Sequence, residues 1–153
     1  RDFSVATSVG YTDAYYTSVL PQAIVAPNLH QAGTAVGVSL PKTPKWKFNV
    51  SPRYEISLGA AGSLVLLADY THTSSQWNDT ERTLTLLRPA TDLLNASATY
   101  KAMNGVWELT AGGTNITSER FLTSGGTQQN GAGIIFGTPN RPAEWYLRFG
   151  VKF

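Results

Sequence analysis

The 153-residue sequence contains no cysteine, a single methionine, two histidines and few charged residues. The absence of cysteine excludes a disulfide scaffold, a thiolate zinc site and a cysteine nucleophile. Charged residues make up only 14% of the chain, whereas an ordinary soluble domain has about 25%. The net charge of +2 comes from scattered Lys and Arg, which argues against nucleic-acid binding. No apolar run reaches the ~20 residues of a membrane-spanning helix. Two classes remain, a Gly-rich soluble β domain and a β-barrel wall that contacts lipid.

The most informative pattern in the chain is strict alternation of apolar and polar residues. In residues 46–56 the even positions are apolar and the odd positions are polar or charged, and residues 145–153 repeat the pattern. Successive side chains of a strand point to opposite faces, so each segment predicts a strand with one apolar face. Weaker alternation predicts four more strands, within residues 3–16, 63–73, 94–101 and 107–112. Six strands of roughly ten residues match the length of a tilted strand that crosses a bilayer.

The connections between the predicted strands alternate in length. Long segments occupy residues 17–43, 74–92 and 118–143, whereas residues 57–62 and 102–105 form only tight turns. Residues 82–86 are a candidate extension of the fourth strand. Large loops at one rim and tight turns at the other are typical of an outer-membrane barrel. We therefore predict an all-β fold, an antiparallel transmembrane β-barrel segment of about six strands, with extracellular long loops and a periplasmic C-terminus.

The apolar face of these strands is predicted to contact lipid, because aromatic residues fall near both ends of the strands, as in an interfacial girdle. The alternative is that the same face packs inside a soluble β-sandwich. The residues predicted to face lipid are Trp46, Phe48, Val50, Tyr54, Ile56 and Trp107. The opposite face is predicted to line a wet lumen with charges of both signs, from Lys47, Arg53, Glu55, Asp69, Lys101, Glu108, Arg148 and Lys152.

Several stretches of the chain resemble, in the same order, segments of one known family. Residues 9–15 read VGYTDAY, residues 37–46 read GVSLPKTPKW, and residues 142–153 end in an aromatic residue. Together with residues 66–70 and 107–117, they resemble the C-terminal end of a TonB-dependent outer-membrane receptor. Receptors of this family are 22-stranded barrels that import scarce nutrients. On this resemblance the six predicted strands are the last six of such a barrel.

The resemblance implies active uptake of siderophore-bound iron, a vitamin or an oligosaccharide, with no enzymatic activity and no cofactor. This chain would supply barrel wall and external loops in the outer membrane of a Gram-negative bacterium. The implied partners are the remainder of the barrel and its plug domain, the TonB energy-coupling complex acting through the plug, the barrel-assembly machinery and outer-membrane lipids. Nucleic acid is not among them.

The plug domain and about sixteen earlier strands of such a barrel have no counterpart in the sequence. Six strands cannot close a barrel, since the smallest membrane barrels have eight. We therefore expect the chain to be part of a longer receptor or one half of a two-chain barrel. A self-contained barrel with a structural or adhesive role is the alternative, if residues 35–40 and 132–136 supply two more strands. A soluble β-sandwich binding module is a second alternative.

The closing strand is the candidate assembly signal, because the resemblance implies that the barrel-assembly machinery recognises its apolar stripe and terminal aromatic residue. The stripe consists of Trp145, Leu147, Phe149, Val151 and Phe153. In the long loops, Trp77, Phe121 and Phe136 are candidate contacts for a sugar or an aromatic ligand, although packing within the loops is the more ordinary role for them.

Catalytic and metal-binding groups are sparse in the sequence. His30 and His72 are the only histidines, and neither has a partner at the spacing of metal ligands. Asp69 lies three residues before His72 on one predicted strand, so the two side chains should face opposite sides and cannot act together. The sequence therefore predicts neither a catalytic site nor a metal site.

Overall fold

The computed structural model describes residues 2–20, 34–128 and 133–152. Within these residues the regular structure comprises ten β-strands and two short 3-10 turns, and the turns are Gly59–Ala61 and Leu84–Leu86. The strands are β1 (Asp2–Tyr11), β2 (Trp46–Ser57), β3 (Ser63–Thr73), β4 (Gln76–Trp77), β5 (Leu87–Arg88), β6 (Thr91–Lys101), β7 (Trp107–Thr114), β8 (Leu122–Gln128), β9 (Ile134–Pro139) and β10 (Glu144–Val151).

Six of these strands form one antiparallel sheet in the order β1-β2-β3-β6-β7-β10. Each strand pairs with the next long strand along the chain, so the sheet is a simple meander. The four short strands form two separate hairpins, β4–β5 and β8–β9, which are inserted in the long connections. The meander confirms the predicted antiparallel wall, and β3 has the predicted bounds, whereas β1 ends at Tyr11, earlier than predicted.

The predicted strand extension through residues 82–86 is wrong. Leu84–Leu86 is a 3-10 turn, and only the two residues after it pair with β4. Arg82 has a left-handed φ of 54°, which turns the chain out of an extended path. The turn carries the Leu86 side chain inward, where it is only 1% exposed. Burial of a large apolar side chain therefore prevails here over the local alternation.

The tight turns lie together at one end of the sheet, and a glycine sets the geometry of the first. Gly62 has φ of 109°, and a Cβ built on it would lie 2.1 Å from the carbonyl oxygen of Lys101. The second turn is closed by a hydrogen bond of 2.9 Å from the Gly105 amide to the Ala102 carbonyl. Close approach of the two turns thus requires a residue without a side chain at position 62.

The register aligns the apolar faces of all six long strands. Across the middle of the sheet Tyr54 lies opposite Leu66, Leu66 opposite Ala98, Ala98 opposite Ala111, and Ala111 opposite Leu147. Directly opposed residues share a face, so this row is apolar from β2 to β10. The predicted division into an apolar and a polar face is therefore correct across the sheet.

The apolar face is not covered by protein in the part of the chain that the structure describes. Within that part, the buried hydrophobic side chains are Val65 and Leu86, and both lie away from this face. Leu147 and Trp145 are 72% and 73% exposed. A soluble domain of this size would bury a contiguous apolar core, so this sheet is not half of a closed soluble sandwich within the described residues.

The two candidate extra strands do not join the large sheet. Between residues 35 and 40 the structure has only an isolated bridge, from Ser39 to Tyr15. The other segment overlaps β9, which pairs with β8 in its own hairpin, while residue 132 lies outside the described residues. The described sheet is therefore open, with β1 and β10 as its edges.

Candidate functional site: the two faces of the sheet and the loop cap

The six residues predicted to face lipid all lie on the apolar face. Trp46 stands at the long-loop end of the sheet, with its ring 4.6 Å from that of Tyr11. Trp107 stands at the short-turn end, 5.1 Å from the ring of Tyr100 and 6.1 Å from that of Phe149. Between these aromatic groups lie the four remaining residues, Phe48, Val50, Tyr54 and Ile56. The apolar face thus has aromatic rings at both ends and both aliphatic and aromatic side chains between them, and rings at both ends are expected of a membrane-facing surface.

The middle of the apolar face is concave. Small side chains of β3, β6 and β7, such as Ala98 and Ala111, form the floor of a groove with a volume of about 820 Å³. Leu66 and Tyr54 border it on one side, and Leu147 on the other. The groove arises because the register places alanines of adjacent strands next to one another.

A polar cluster at the long-loop end of the same face involves a partner that sequence reasoning missed. The Nδ1 atom of His72 lies 2.7 Å from Oδ1 of Asp92, and the Tyr70 hydroxyl donates to the same oxygen at 2.6 Å. The ring of Phe48 stacks on His72 at 4.8 Å. Two donors on one carboxylate oxygen offset the charge of Asp92 beside an apolar surface.

Asp69, the neighbour of His72 considered in the sequence, lies on the polar face, so the two side chains do face opposite sides as predicted. Asp92 could have been found only from the β3–β6 register, which places it directly opposite His72. The predicted fourth strand began at Leu94, and this boundary left Asp92 in a loop.

The polar face carries a belt of hydrogen bonds centred on Asp69. One of its carboxylate oxygens accepts from Ser51 at 2.6 Å and from Asn49 at 2.9 Å. Its other oxygen accepts from Asn95 at 3.5 Å, and Asn95 in turn accepts from the backbone amide of Asn115 at 2.9 Å. The belt thus links β2, β3, β6 and the end of β7 on the side away from the apolar face.

Further along the polar face, polar side chains also pair between and along strands. Thr99 and Thr110 share a hydrogen bond of 2.9 Å between β6 and β7. Arg53 forms an ion pair with Glu55 on β2. Several polar groups on this face are therefore partnered within the wall, and its charges of both signs lie as the alternation predicted.

The described parts of the long loops, residues 34–43, 74–90, 118–128 and 133–141, pack together into a unit that we name the loop cap. Leu86 is its most buried apolar residue. Leu86 Cδ2 would lie 2.5 Å from a Cβ built on Gly125, so the side chain sits directly against the backbone of β8. Asn78 reinforces this contact by donating to the Leu122 carbonyl at 3.2 Å. The second and third long loops are therefore joined.

The first long loop is tied to the same cap. The Lys42 amide donates to the Trp77 carbonyl at 2.7 Å, and the Arg82 guanidinium donates to the Ser39 hydroxyl at 3.0 Å. Arg82 also lies over the Trp77 ring, 5.6 Å from its centroid. Trp77 is thus a contact point between the first two loops.

Phe121 packs against a cation. The Arg88 guanidinium carbon lies 3.8 Å from the centroid of the Phe121 ring, and the guanidinium donates to the Thr91 hydroxyl at 2.8 Å. Burial lowers the pKa of Arg88 from its ordinary value. Phe136 differs from the other two candidates because it is 56% exposed, on hairpin β8–β9. Of the three predicted ligand contacts, Phe136 is the one whose ring is most open to solvent.

Asparagines close the base of the third loop. The Asn115 side chain donates to the carbonyls of Glu119 at 2.9 Å and Arg141 at 3.0 Å. Asn140 also donates to the Glu119 carbonyl, and its side-chain oxygen accepts from the Phe121 amide at 3.0 Å. These bonds hold both ends of the third loop together above β7 and β10. In the sequence, Asn115 falls within residues 107–117, one of the stretches on which the family resemblance rests.

Within residues 2–20, 34–128 and 133–152, no three His, Asp or Glu side chains are arranged to hold a metal ion. In the same ranges no helix has the length and apolar character needed to cross a membrane. Among the described features, the two contrasting faces and the loop cap are the ones on which a functional proposal can rest.

An open antiparallel meander with one uncovered apolar face, one polar face and ordered hairpins at one rim is a segment of a transmembrane β-barrel wall. No protein-family model matches the sequence, and no curated protein matches it significantly. Solved structures do share the fold. One is the ferric yersiniabactin uptake receptor FyuA from Yersinia pestis, with a TM-score of 0.66, 17% identity, and coverage of 77% of this chain and 18% of the receptor.

A second structure is BauA, the ferric preacinetobactin receptor from Acinetobacter baumannii. It matches with a TM-score of 0.51 and 18% identity, over 72% of this chain and 15% of the receptor. The fold of this chain is therefore that of a barrel segment of TonB-dependent receptors, as predicted. The chain spans less than a fifth of the length of either structure, and identities this low establish the fold alone.

We predict that Leu86→Ala opens the loop cap. Truncating a fully buried leucine costs about 2 to 5 kcal/mol, and here the loss falls on the contact between the second and third loops. Faster amide exchange and faster proteolytic cleavage within residues 74–90 and 118–143 would report the opening. The matched control is Leu84→Ala, because Leu84 lies two residues away and is 80% exposed. Equal protection of the loops in both variants would contradict this account of the cap.

Proposed function

We propose that this chain is the C-terminal barrel segment of a TonB-dependent receptor that takes up a ferric siderophore across the outer membrane. The observation that carries the proposal is the open two-faced sheet with its capped rim, which shares the fold of FyuA over 77% of the chain. Two solved structures that it matches are described as a ferric yersiniabactin uptake receptor and a ferric preacinetobactin receptor. An iron(III) chelate is therefore the substrate class that we assign, ahead of a vitamin or an oligosaccharide.

In this proposal the apolar face contacts lipid and the polar face lines the lumen. The long loops are extracellular, and the tight turns and C-terminus are periplasmic. The open edges β1 and β10 require further strands, since each unpaired backbone group in hydrocarbon costs several kcal/mol. The remainder of the barrel supplies those strands. The belt around Asp69 and the charged groups of β2 supply the surface on which the plug rests, and the TonB energy-coupling complex acts through the plug. The chain itself performs no chemistry.

The assembly signal is assigned to β10 and its apolar stripe. Trp145, Leu147 and Phe149 are exposed along this edge strand, and Val151 lies opposite Trp107, whereas Phe153 lies outside the described residues. An exposed strand edge can pair with another strand. We assign this strand to recognition by the barrel-assembly machinery.

Ligand contact from above is assigned to Phe136. Trp77 and Phe121 each pack against an arginine side chain, so we assign their rings to packing within the loop cap. The Phe136 ring instead lies on a hairpin whose adjacent strand has Gly126 next to the tip of the ring, and Phe136 is 56% exposed. A flat apolar surface of this kind suits stacking on an aromatic or heterocyclic chelator.

Uptake of iron tests the proposed function. A strain that lacks the membrane protein containing this chain should lose growth on at least one ferric siderophore as the only iron source, and the loss should be restored by the intact gene. Accumulation of radiolabelled iron from the same chelate should require an active energy-coupling complex. Unchanged growth and iron accumulation across a broad panel of chelates would instead favour the structural or adhesive barrel.

A second experiment tests the ligand contact. Phe136→Ala should raise the Kd of the full-length protein for the chelate by roughly tenfold, equivalent to about 1.4 kcal/mol. Ile135→Ala is the matched control, because this neighbour points to the opposite face of the same hairpin. Equal affinities of the two variants in a tryptophan-fluorescence titration would remove Phe136 from the binding surface.

A further inference from the structure

Two consecutive glycines of β7 lie directly beneath two consecutive aromatic residues of the closing strand. Gly112 is opposite Tyr146, and Gly113 is opposite Trp145. Because adjacent residues of a strand point to opposite faces, one ring lies on the polar face and the other on the apolar face. The closing strand is therefore held against β7 from both sides of the sheet.

On the polar face the Tyr146 ring occupies the space that a side chain at position 112 would need. A Cβ built on Gly112 would lie 2.6 Å from the tyrosine hydroxyl oxygen and 2.7 Å from Cζ. The same Cβ would lie 2.9 Å from Cβ of Ser97 on β6. The ring thus extends from β10 across the bare backbone of β7 toward β6.

On the apolar face Trp145 occupies the corresponding space at Gly113. A Cβ there would lie 2.8 Å from Cε3 of the indole and 2.8 Å from Cγ2 of Ile116. Ile116, just after the end of β7, therefore borders the same recess. Neither recess would exist with any larger residue in β7.

Only one register of β10 places both rings over glycine. If β10 slid by two residues in one direction, Tyr146 would face Thr110, which is already hydrogen-bonded to Thr99. A slide by one residue would move Trp145 to the polar face. The rest of the apolar stripe does not discriminate in this way, since Leu147, Phe149 and Val151 are apolar residues at two-residue intervals.

The loop cap repeats the arrangement independently. In hairpin β8–β9 Phe136 lies opposite Gly126, and a Cβ on Gly126 would lie 2.9 Å from the tip of its ring. The preceding residue, Gly125, faces Leu86 on the other side. Within the described residues, the glycine pairs of β7 and β8 are therefore each covered from both faces, and in each pair at least one glycine is covered by a ring of the adjacent strand.

We propose that Gly112 and Gly113 are a two-sided seat for Tyr146 and Trp145, and that this seat sets the register of the closing strand during barrel assembly. The apolar stripe allows β10 to pair with a strand edge in the membrane in more than one alignment. The seat favours the native alignment, in which Tyr146 lies opposite Gly112. Register across each pair determines the stagger of the barrel, so an error at the closing strand would prevent correct closure. This role depends on the barrel fold and not on the identity of the ligand.

Disulfide trapping measures the register directly, and the chain helps because it contains no cysteine. Thr110→Cys with Arg148→Cys reports the native alignment, in which these positions are opposite. Glu108→Cys with Arg148→Cys reports a slip of two residues. Each pair is placed in the full-length protein, which is folded into lipid vesicles, oxidised and separated from unfolded protein by its heat-modifiable mobility.

With glycines and rings intact, the native pair should cross-link and the slipped pair should not. Gly112→Ala or Tyr146→Ala should raise the slipped product several-fold and lower the yield of folded protein. Tyr146→Phe keeps the ring and should behave as the wild type. Gly10→Ala is the matched control on the polar face of β1, where the new Cβ would meet nothing closer than 3.7 Å.

The double variant Gly112→Ala/Tyr146→Ala tests whether the glycine and the ring act together or whether each single variant causes a separate defect. If the ring and the glycine act together, the double variant should be no worse than Tyr146→Ala alone. Additive losses, or equal rarity of the slipped product in every variant, would overturn the proposal. If a variant fails to insert, the same cross-links measured after folding in detergent micelles decide between these outcomes.

Discussion

The constraint on which this structure depends is that hydrocarbon offers no hydrogen-bond partner to the polypeptide backbone. Every N–H and C=O within the membrane must be satisfied by a neighbouring strand, so the strands must pair along their full length in one register. The ladder from β1 to β10 meets this requirement at five interfaces. At β1 and β10 it does not, and for that reason a larger barrel is central to the proposed function.

Once the register is set, the two faces follow from it. The two-residue period then sends Leu66, Ala98, Ala111 and Leu147 to one side, and Asp69 with its amide and hydroxyl donors to the other. In the proposed barrel, such a wall contacts hydrocarbon on one face and water on the other without a protein core of its own. The buried residues of the loop cap are Asn78, Asp79 and Leu86, and the apolar contact of Leu86 stabilises the cap in the usual way.

Much of the wall could be predicted from the sequence because alternation is a local property. Six strands, their faces and the order of long and short connections all follow from a period of two. The hairpins within the long loops could not be predicted, since β4 and β5 have two residues each. The His72–Asp92 pair, the arginine over Phe121 and the Leu86–Gly125 contact join residues that are far apart in the chain, and no periodicity marks them. The glycine pair of β7 can be read from the sequence, but its contact with Tyr146 and Trp145 depends on the β7–β10 register, which the sequence alone does not give.

The most direct test of the account uses Leu66 and Leu67, which are adjacent, chemically identical and similarly exposed, at 39% and 42%. Leu66 lies opposite Ala98 on the apolar face, and Leu67 lies opposite Ser97 on the polar face. Arginine on a lipid-facing position near the bilayer midplane costs about 2 to 4 kcal/mol, whereas a lumen-facing position tolerates it. The measurement is the free energy of unfolding in lipid vesicles for Leu66→Arg and Leu67→Arg in the full-length protein. The account predicts a loss of that size for Leu66→Arg and little change for Leu67→Arg. Equal losses, or the reverse order, would contradict the assignment of the two faces.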